Sequence, residues 1–143
     1  MRAWKEHGLR RLGPLAAELV AARIEPPAAD VITYIPPDAV RQLRRSAHPA
    51  ELLARELASR WSLPCMPLLR RSGAPSRQTG LRYTERRVNV RGAFEPVAAG
   101  VPRRVLLVDD VYTTGATASA AGTALRNGGT ERIDVVTFAR AVR

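Results

Sequence analysis

The sequence is short of the residues that build disulfide scaffolds, zinc ribbons and base-stacking surfaces. Cysteine occurs once, at Cys65, which excludes an internal disulfide and any Cys-rich zinc site. A small buried apolar residue is the reading that fits it. The histidines, His7 and His48, lie far apart, lack metal-ligand spacing and read as surface or capping residues. Aromatic residues make up 5% of the chain, few for stacking on nucleic-acid bases, and no recognisable base-reading motif is present. No apolar run approaches the ~20 residues that cross a bilayer. Met1–His7 has no apolar signal core, so the expected location is cytoplasmic, without membrane contact. Neither a G-x-x-x-x-G-K-S/T loop nor a G-x-G-x-x-G loop occurs, which argues against a nucleoside triphosphatase and against a dinucleotide site.

What is present suits one domain. A chain of 143 residues, 45% of them apolar, can bury a single core. The net charge is +10, and every base except Lys5 is arginine. Such a field draws polyanions. Phosphorylated small molecules and nucleic acid both answer to it, and charge alone does not choose between them.

Periodicity gives an alternation of helices and buried strands. Leu12 to Ile24 reads as a helix with Leu15, Leu19, Val20 and Ile24 on one face, ended by Pro26-Pro27. Val31–Ile35 is a β-branched apolar run stopped by Pro36-Pro37, hence a buried strand and then a loop. Pro49 to Trp61 predicts a second helix, with Leu53, Leu57 and Trp61 in one row and Pro49 at its first position. Met66–Leu69 reads as a short strand. Arg70–Arg91 carries seven arginines against one acid, Glu85, and includes Ser72-Gly73-Ala74-Pro75-Ser76. That composition predicts a long exposed loop of functional character. Val105–Val108 is a continuous apolar strand of the kind found in parallel sheets covered on both faces. A small-residue helix over Thr117–Arg126 follows, stopped by Asn127-Gly128-Gly129, and Ile133–Phe138 forms a last strand. The fold class is α/β, with a largely parallel sheet and helices on both faces. No repeat or linker divides the chain, which reads as a single domain over residues 1–143.

The chemistry concentrates in Val105-Leu106-Leu107-Val108-Asp109-Asp110-Val111-Tyr112-Thr113-Thr114-Gly115-Ala116-Thr117. A buried strand delivers Asp109 and Asp110 to its C-terminal end, the edge at which open α/β sheets bind ligands. A turn rich in Thr and Gly leads into a helix. Gly115 lets the backbone approach a ligand, and the N–H groups that open the helix point at an anion. Thr113, Thr114 and Thr117 add hydroxyls. Acceptors for sugar hydroxyls beside donors for a phosphate are what a ribose 5-phosphate needs. Adjacent acids after a buried strand also occur in magnesium sites of other α/β folds.

This segment resembles the phosphoribosyl pyrophosphate (PRPP) motif of type I phosphoribosyltransferases: four apolar residues, two acids and, after Val111-Tyr112, Thr-Thr-Gly-Ala-Thr. Gln78, Leu81, Arg86, Asn89, Gly92, Ala93 and Phe94, with the Lys5…Gly8 start and the Leu53-Ala54 helix, narrow the likeness to the ComF/GntX-like family, which is associated with bacterial competence. The resemblance implies that Asp109 and Asp110 hold the ribose 2′- and 3′-hydroxyls. The whole of Asp109-Asp110-Val111-Tyr112-Thr113-Thr114-Gly115-Ala116-Thr117 would bind PRPP, with Thr113–Thr117 around the 5′-phosphate and the Pro36-Pro37 loop at the pyrophosphate. Arg70–Arg91 would be a mobile loop that closes over the site, with Arg77, Arg82, Arg86 and Arg87 as candidate anion contacts. Arg77 and Arg86 would join Asp109 and Asp110 as catalytic residues. Mg²⁺ would be carried by the substrate near the two aspartates, with no direct protein ligand.

Two departures from the family pattern bear on function. The family's four-cysteine zinc ribbon has no counterpart here. Its R-G-F-N-Q segment is replaced by Arg45-Ser46-Ala47-His48-Pro49, which keeps the arginine and loses the Asn and Gln. Two readings follow. One is an enzyme that transfers ribose 5-phosphate from PRPP to a nitrogen acceptor. The other is a non-catalytic binder of PRPP or another ribose phosphate, contacting DNA or a DNA-uptake partner. The resemblance leaves a homodimer open.

Overall fold

The computed structural model describes residues 12–37, 48–72 and 92–141. Its elements run α1 (Leu12–Ala21), β1 (Val31–Tyr34), α2 (Pro49–Trp61), β2 (Leu69–Arg71), β3 (Phe94–Pro96), β4 (Arg104–Tyr112), α3 (Ala116–Asn127) and β5 (Arg132–Arg140). Strands β1, β4 and β5 form a parallel sheet with β4 in the centre, and β2 pairs with β3 in a separate antiparallel ribbon. The expected α/β class with a parallel sheet is what the chain adopts.

The pleat of the central strand divides the core in two. Leu106 and Val108 join Ile32, Leu53, Leu57, Ala16 and Ala17 on the face covered by α1 and α2. Val105 and Leu107 join Val31, Leu69, Phe94, Ala121 and Leu125 on the face covered by α3 and the ribbon. This is why Val105–Val108 is apolar at every position: both of its faces are covered. Each fully buried aliphatic side chain here contributes about 1.5–3 kcal/mol.

Helix α1 differs from its expectation in the face it buries. Leu15 and Leu19 are 50% and 45% exposed, whereas Ala16 and Ala17 are fully covered. The helix ends at Ala21, and Ile24 lies in the turn that follows, its N–H bonded to Val20 O at 3.1 Å. The inner face is made of small residues because α1 approaches α2 closely. A methyl group on Gly13 would already touch Leu52 Cβ at 3.4 Å. Helix α2 matches its predicted bounds and buries Leu53 and Leu57 completely, with Trp61 packed at the margin. His48 takes its N-cap position.

The expected strand at Met66–Leu69 is displaced. Pairing with β1 is limited to a single bridge at Cys65, where Ile32 N–H reaches Pro64 O and Met66 N–H reaches Ile32 O. The next donor, Leu68 N–H, goes instead to the buried Thr33 hydroxyl at 3.1 Å. The chain therefore leaves the parallel sheet, and β2 forms three residues later against β3. Arg70 and Arg71, read as part of the basic loop, belong to this strand. Residues 73–91, with Arg77, Arg82, Arg86 and Arg87, lie outside the described residues, as do Lys5 and Arg45-Ser46-Ala47.

Strand β4 runs beyond Val108 and carries both aspartates within the strand, because its pairing with β5 continues to Tyr112 opposite Arg140. Helix α3 stops as expected at Gly128, where a side chain would collide with Val101. Among the described residues no helix is long and apolar enough to cross a membrane.

Candidate functional site

Parallel pairing places the C-terminal ends of β1 and β4 side by side. Tyr34 lies opposite Val108, and Ile35 N–H donates to Val108 O at 3.0 Å. Pro36 and Pro37, both partly buried, thus start their loop next to Asp109 and Asp110, themselves partly buried. Residues 73 positions apart in the chain become neighbours because two buried strands run in the same direction.

Asp109 turns back on its own backbone, accepting Asp110 N–H on Oδ1 at 2.8 Å. After Tyr112 the chain turns. Thr113 and Thr114 are exposed, and Gly115 adopts φ +75° at the N-cap of α3. The left-handed geometry at Gly115 is what turns the strand into the helix within so few residues. Ser119 N–H bonds Gly115 O at 2.8 Å, and Ala116 N–H leans towards Thr114 Oγ1 at 3.4 Å. Gly115 at the N-cap supplies no side-chain hydrogen bond to the helix. The opening N–H groups and the dipole of the helix face the turn, an arrangement suited to an anion. Thr117 lies partly buried in the first turn.

The structure thus brings together Asp109, Asp110, Val111, Tyr112, Thr113, Thr114, Gly115, Ala116, Thr117, Pro36 and Pro37 at one edge of the sheet. Arg77 and Arg86, expected to be catalytic, lie outside the described residues.

Further groups at this edge escaped the sequence reading. Tyr34 ends β1, and burial pushes its phenol above the usual value, with the nearby Glu51 carboxylate adding to the effect. Arg140 ends β5 with its guanidinium carbon 5.9 Å from the Tyr112 ring centroid. Arg71 donates from Nε to Pro36 O at 3.1 Å and lies 4.9 Å above the Phe94 ring. Arg71 was hidden among the seven arginines of its stretch, and Arg140 gave no signal beyond its place after an apolar run. Cys65 is half-buried, and burial raises its thiol pKa.

Opposite this edge, Asp30 holds Arg104 through its backbone N–H and its guanidinium, at 3.0 Å each from Oδ2 and Oδ1. That hydrogen bonding lowers the Asp30 pKa. The pair braces the N-terminal end of β4 and stands apart from the site.

No family model matches the chain. It is 35% identical to competence protein F of Haemophilus influenzae over 96% of its length, and spans 62% of that protein. Its backbone resembles glutamine PRPP amidotransferase from B. subtilis, solved with ADP and GMP, at a TM-score of 0.55 and 23% identity over 92% of this chain and 26% of that one. It also resembles adenine phosphoribosyltransferase from Thermoanaerobacter pseudethanolicus at a TM-score of 0.53 and 16% identity, covering 92% of this chain and 81% of that one. At these identities the structural likeness is one of fold. The 35% identity to the Haemophilus protein is the stronger tie, although the chain spans less than two thirds of that protein, and the fold is the one seen in phosphoribosyltransferases.

Proposed function

We propose that the chain binds PRPP at the ends of β1 and β4 and transfers its ribose 5-phosphate group to a nitrogen acceptor, in a role linked to DNA uptake. The observation that carries this reading is the juxtaposition of two adjacent carboxylates, Asp109 and Asp110, with a helix N-terminus at Gly115–Thr117 whose N-cap is a glycine. The first accepts from vicinal ribose hydroxyls. The second receives the 5′-phosphate through backbone N–H groups and the Thr113, Thr114 and Thr117 hydroxyls. A sugar phosphate held at both ends has its anomeric carbon fixed in place, which lowers the entropic part of the barrier.

In the transfer, the bond between C1 and the pyrophosphate oxygen breaks, and its electron pair leaves with pyrophosphate. The acceptor nitrogen forms a bond to C1 and loses a proton. Asp109 and Asp110 stabilise the positive charge that develops on the sugar as the bond loosens.

Among the described residues no three His, Cys, Asp or Glu side chains converge. Mg²⁺ would arrive on the phosphates of the substrate and sit near Asp109 and Asp110, since this ion keeps much of its shell for phosphate and water. When bound, Mg²⁺ would neutralise charge on the leaving pyrophosphate.

A second reading has its own support. Pro36 and Pro37 have no N–H to offer an anion, and Ser46-Ala47-His48 stands where the family carries Gly-Phe-Asn. With a net charge of +10, this favours a protein that binds a ribose phosphate without turning it over and contacts DNA or a DNA-uptake partner. Pyrophosphate release from Mg²⁺·PRPP across a panel of nucleobases and amines separates the two. Acceptor-dependent release supports transfer. Tight binding with no release for any acceptor supports the binding module.

A further inference from the structure

We propose that the outer edge of β5 is the interface between two copies of this chain, paired antiparallel about a two-fold axis at Thr137. The inference does not depend on the PRPP reading. Among the described residues β5 is an edge of the parallel sheet, with β4 on one side and no strand on the other. It runs from Arg132 to Arg140 without proline or lysine, and its middle, Val135–Ala139, carries no charge. Such an edge offers a row of backbone donors and acceptors to another strand, and the usual guards against that pairing are lacking.

The side-chain order of β5 matches itself in reverse. Residues directly opposite in an antiparallel pair share a face of the sheet, and opposite charges or apolar groups set there attract. With the axis at Thr137, Asp134 of one copy faces Arg140 of the other, Val135 faces Ala139, Val136 faces Phe138, and Thr137 faces its counterpart. Acid meets base at both ends, and apolar meets apolar between them. Moving the axis by one residue destroys the match. An axis at Val136 sets Arg132 against Arg140. One at Phe138 sets Arg140 against Val136 and leaves Asp134 with nothing opposite it in the strand. Arg140 is exposed, lies over the Tyr112 ring and has no acid paired with it among the described residues.

The flanking surface continues the patch. On one face of the sheet, Leu19, Val20 and Ile24 line a groove along β5 with Val136 and Phe138. Leu15 and Leu19 are about half exposed, as is Val135 on the other face of the strand. A two-fold axis perpendicular to the sheet brings the second α1 to the same side, so the two leucine rows face each other across the junction. The large residues that α1 turns away from its own core then have a partner.

Sedimentation velocity of the full chain over a concentration series should show a monomer–dimer equilibrium. Asp134→Arg should weaken the dimer about tenfold or more, because both end pairs change from attractive to repulsive. Combining it with Arg140→Asp should restore the dimer. Disulfide trapping reads the register. In a Cys65→Ser background with a mild oxidant, Thr137→Cys should give a covalent dimer, since opposite α-carbons of an antiparallel pair lie ~5.5 Å apart or less, within disulfide reach. Val135→Cys should not, because the two cysteines would be offset by about 13 Å along the strands. Circular dichroism checks each variant, and the parent's sedimentation decides even where a variant fails to fold. A parent that stays monomeric at every concentration overturns the proposal. So does a dimer indifferent to Asp134→Arg, a double exchange that restores nothing, or trapping through Val135→Cys as readily as through Thr137→Cys. None of these outcomes bears on PRPP binding.

Discussion

The Tyr112 hydroxyl lies directly over the α-carbon of Gly115, so close that a methyl group there would overlap the Tyr112 ring and its oxygen. Gly115 is also at φ +75°. Both facts require glycine where β4 turns into α3. Gly115→Ala should therefore cost about 1 kcal/mol or more in stability from the backbone alone, and should weaken phosphate binding by displacing the turn. Adding Tyr112→Leu should relieve the collision and leave the backbone cost. Thermal melts of the single and double variants, with and without ribose 5-phosphate, check this. Equal stability of Gly115→Ala and the parent contradicts it.

The core on both sheet faces runs through β4. Leu107 is fully buried against α3 and the ribbon, and Leu107→Ala should destabilise the fold by about 2–5 kcal/mol, the range for a leucine cavity that neighbours only partly refill. Urea unfolding gives the number. Leu19→Ala, at a position 45% exposed, should cost far less, although in the sequence the two leucines look alike.

Acid sensitivity should be traceable in part to Asp30. Hydrogen bonding to Arg104 holds its folded-state pKa below the ordinary carboxylate value. A depressed carboxylate stabilises the fold above its unfolded pKa, and the contribution disappears as pH falls through the folded pKa. Asp30→Asn should accordingly lower the melting temperature modestly at neutral pH, and the gap between variant and parent should close below about pH 4. The pair is exposed, with 51% and 37% of the two side chains open to solvent, so solvent screening keeps the effect small. A gap that widens in acid contradicts the assignment.

On the second reading, in which the chain contacts DNA, the binding should be weak and electrostatic. Each phosphate neutralised by an arginine releases counterions, so the logarithm of the association constant should fall linearly with the logarithm of salt concentration. Fluorescence anisotropy with a labelled oligonucleotide over a salt series measures the slope. Affinity that stays constant as salt rises contradicts a phosphate-only contact.

The parts of the fold that sequence showed most clearly were those where one physical demand dominates. The continuous apolar run Val105–Val108 and the row Leu53, Leu57, Trp61 read correctly because burial alone decides them. The site turn was legible because strand, carboxylates, glycine and helix start follow one another in the chain. Helix α1 misled because Leu15 and Leu19 are largely exposed, while Val20 reaches the core and the packing depends on close approach through Gly13, Ala16 and Ala17. Strand β2 was misplaced because a side chain, Thr33, takes the donor that a ladder would have used. Arg71 was invisible for a similar reason, since its meaning comes from Pro36 and Phe94, which only the tertiary structure brings to it.

The central claim is that the β4 carboxylates clamp a ribose phosphate, and Asp110→Asn tests it most directly. The two side chains are nearly isosteric, so packing should hold while the negative charge is lost. Asp110 sits partly buried beside Asp109, in the strand that ends at the turn into α3. A charge-assisted hydrogen bond is worth roughly 1.5–3 kcal/mol, so calorimetry should show Mg²⁺·PRPP affinity falling by at least about tenfold, with an unchanged circular dichroism spectrum. A folded Asn variant that binds Mg²⁺·PRPP as tightly as the parent would contradict the account.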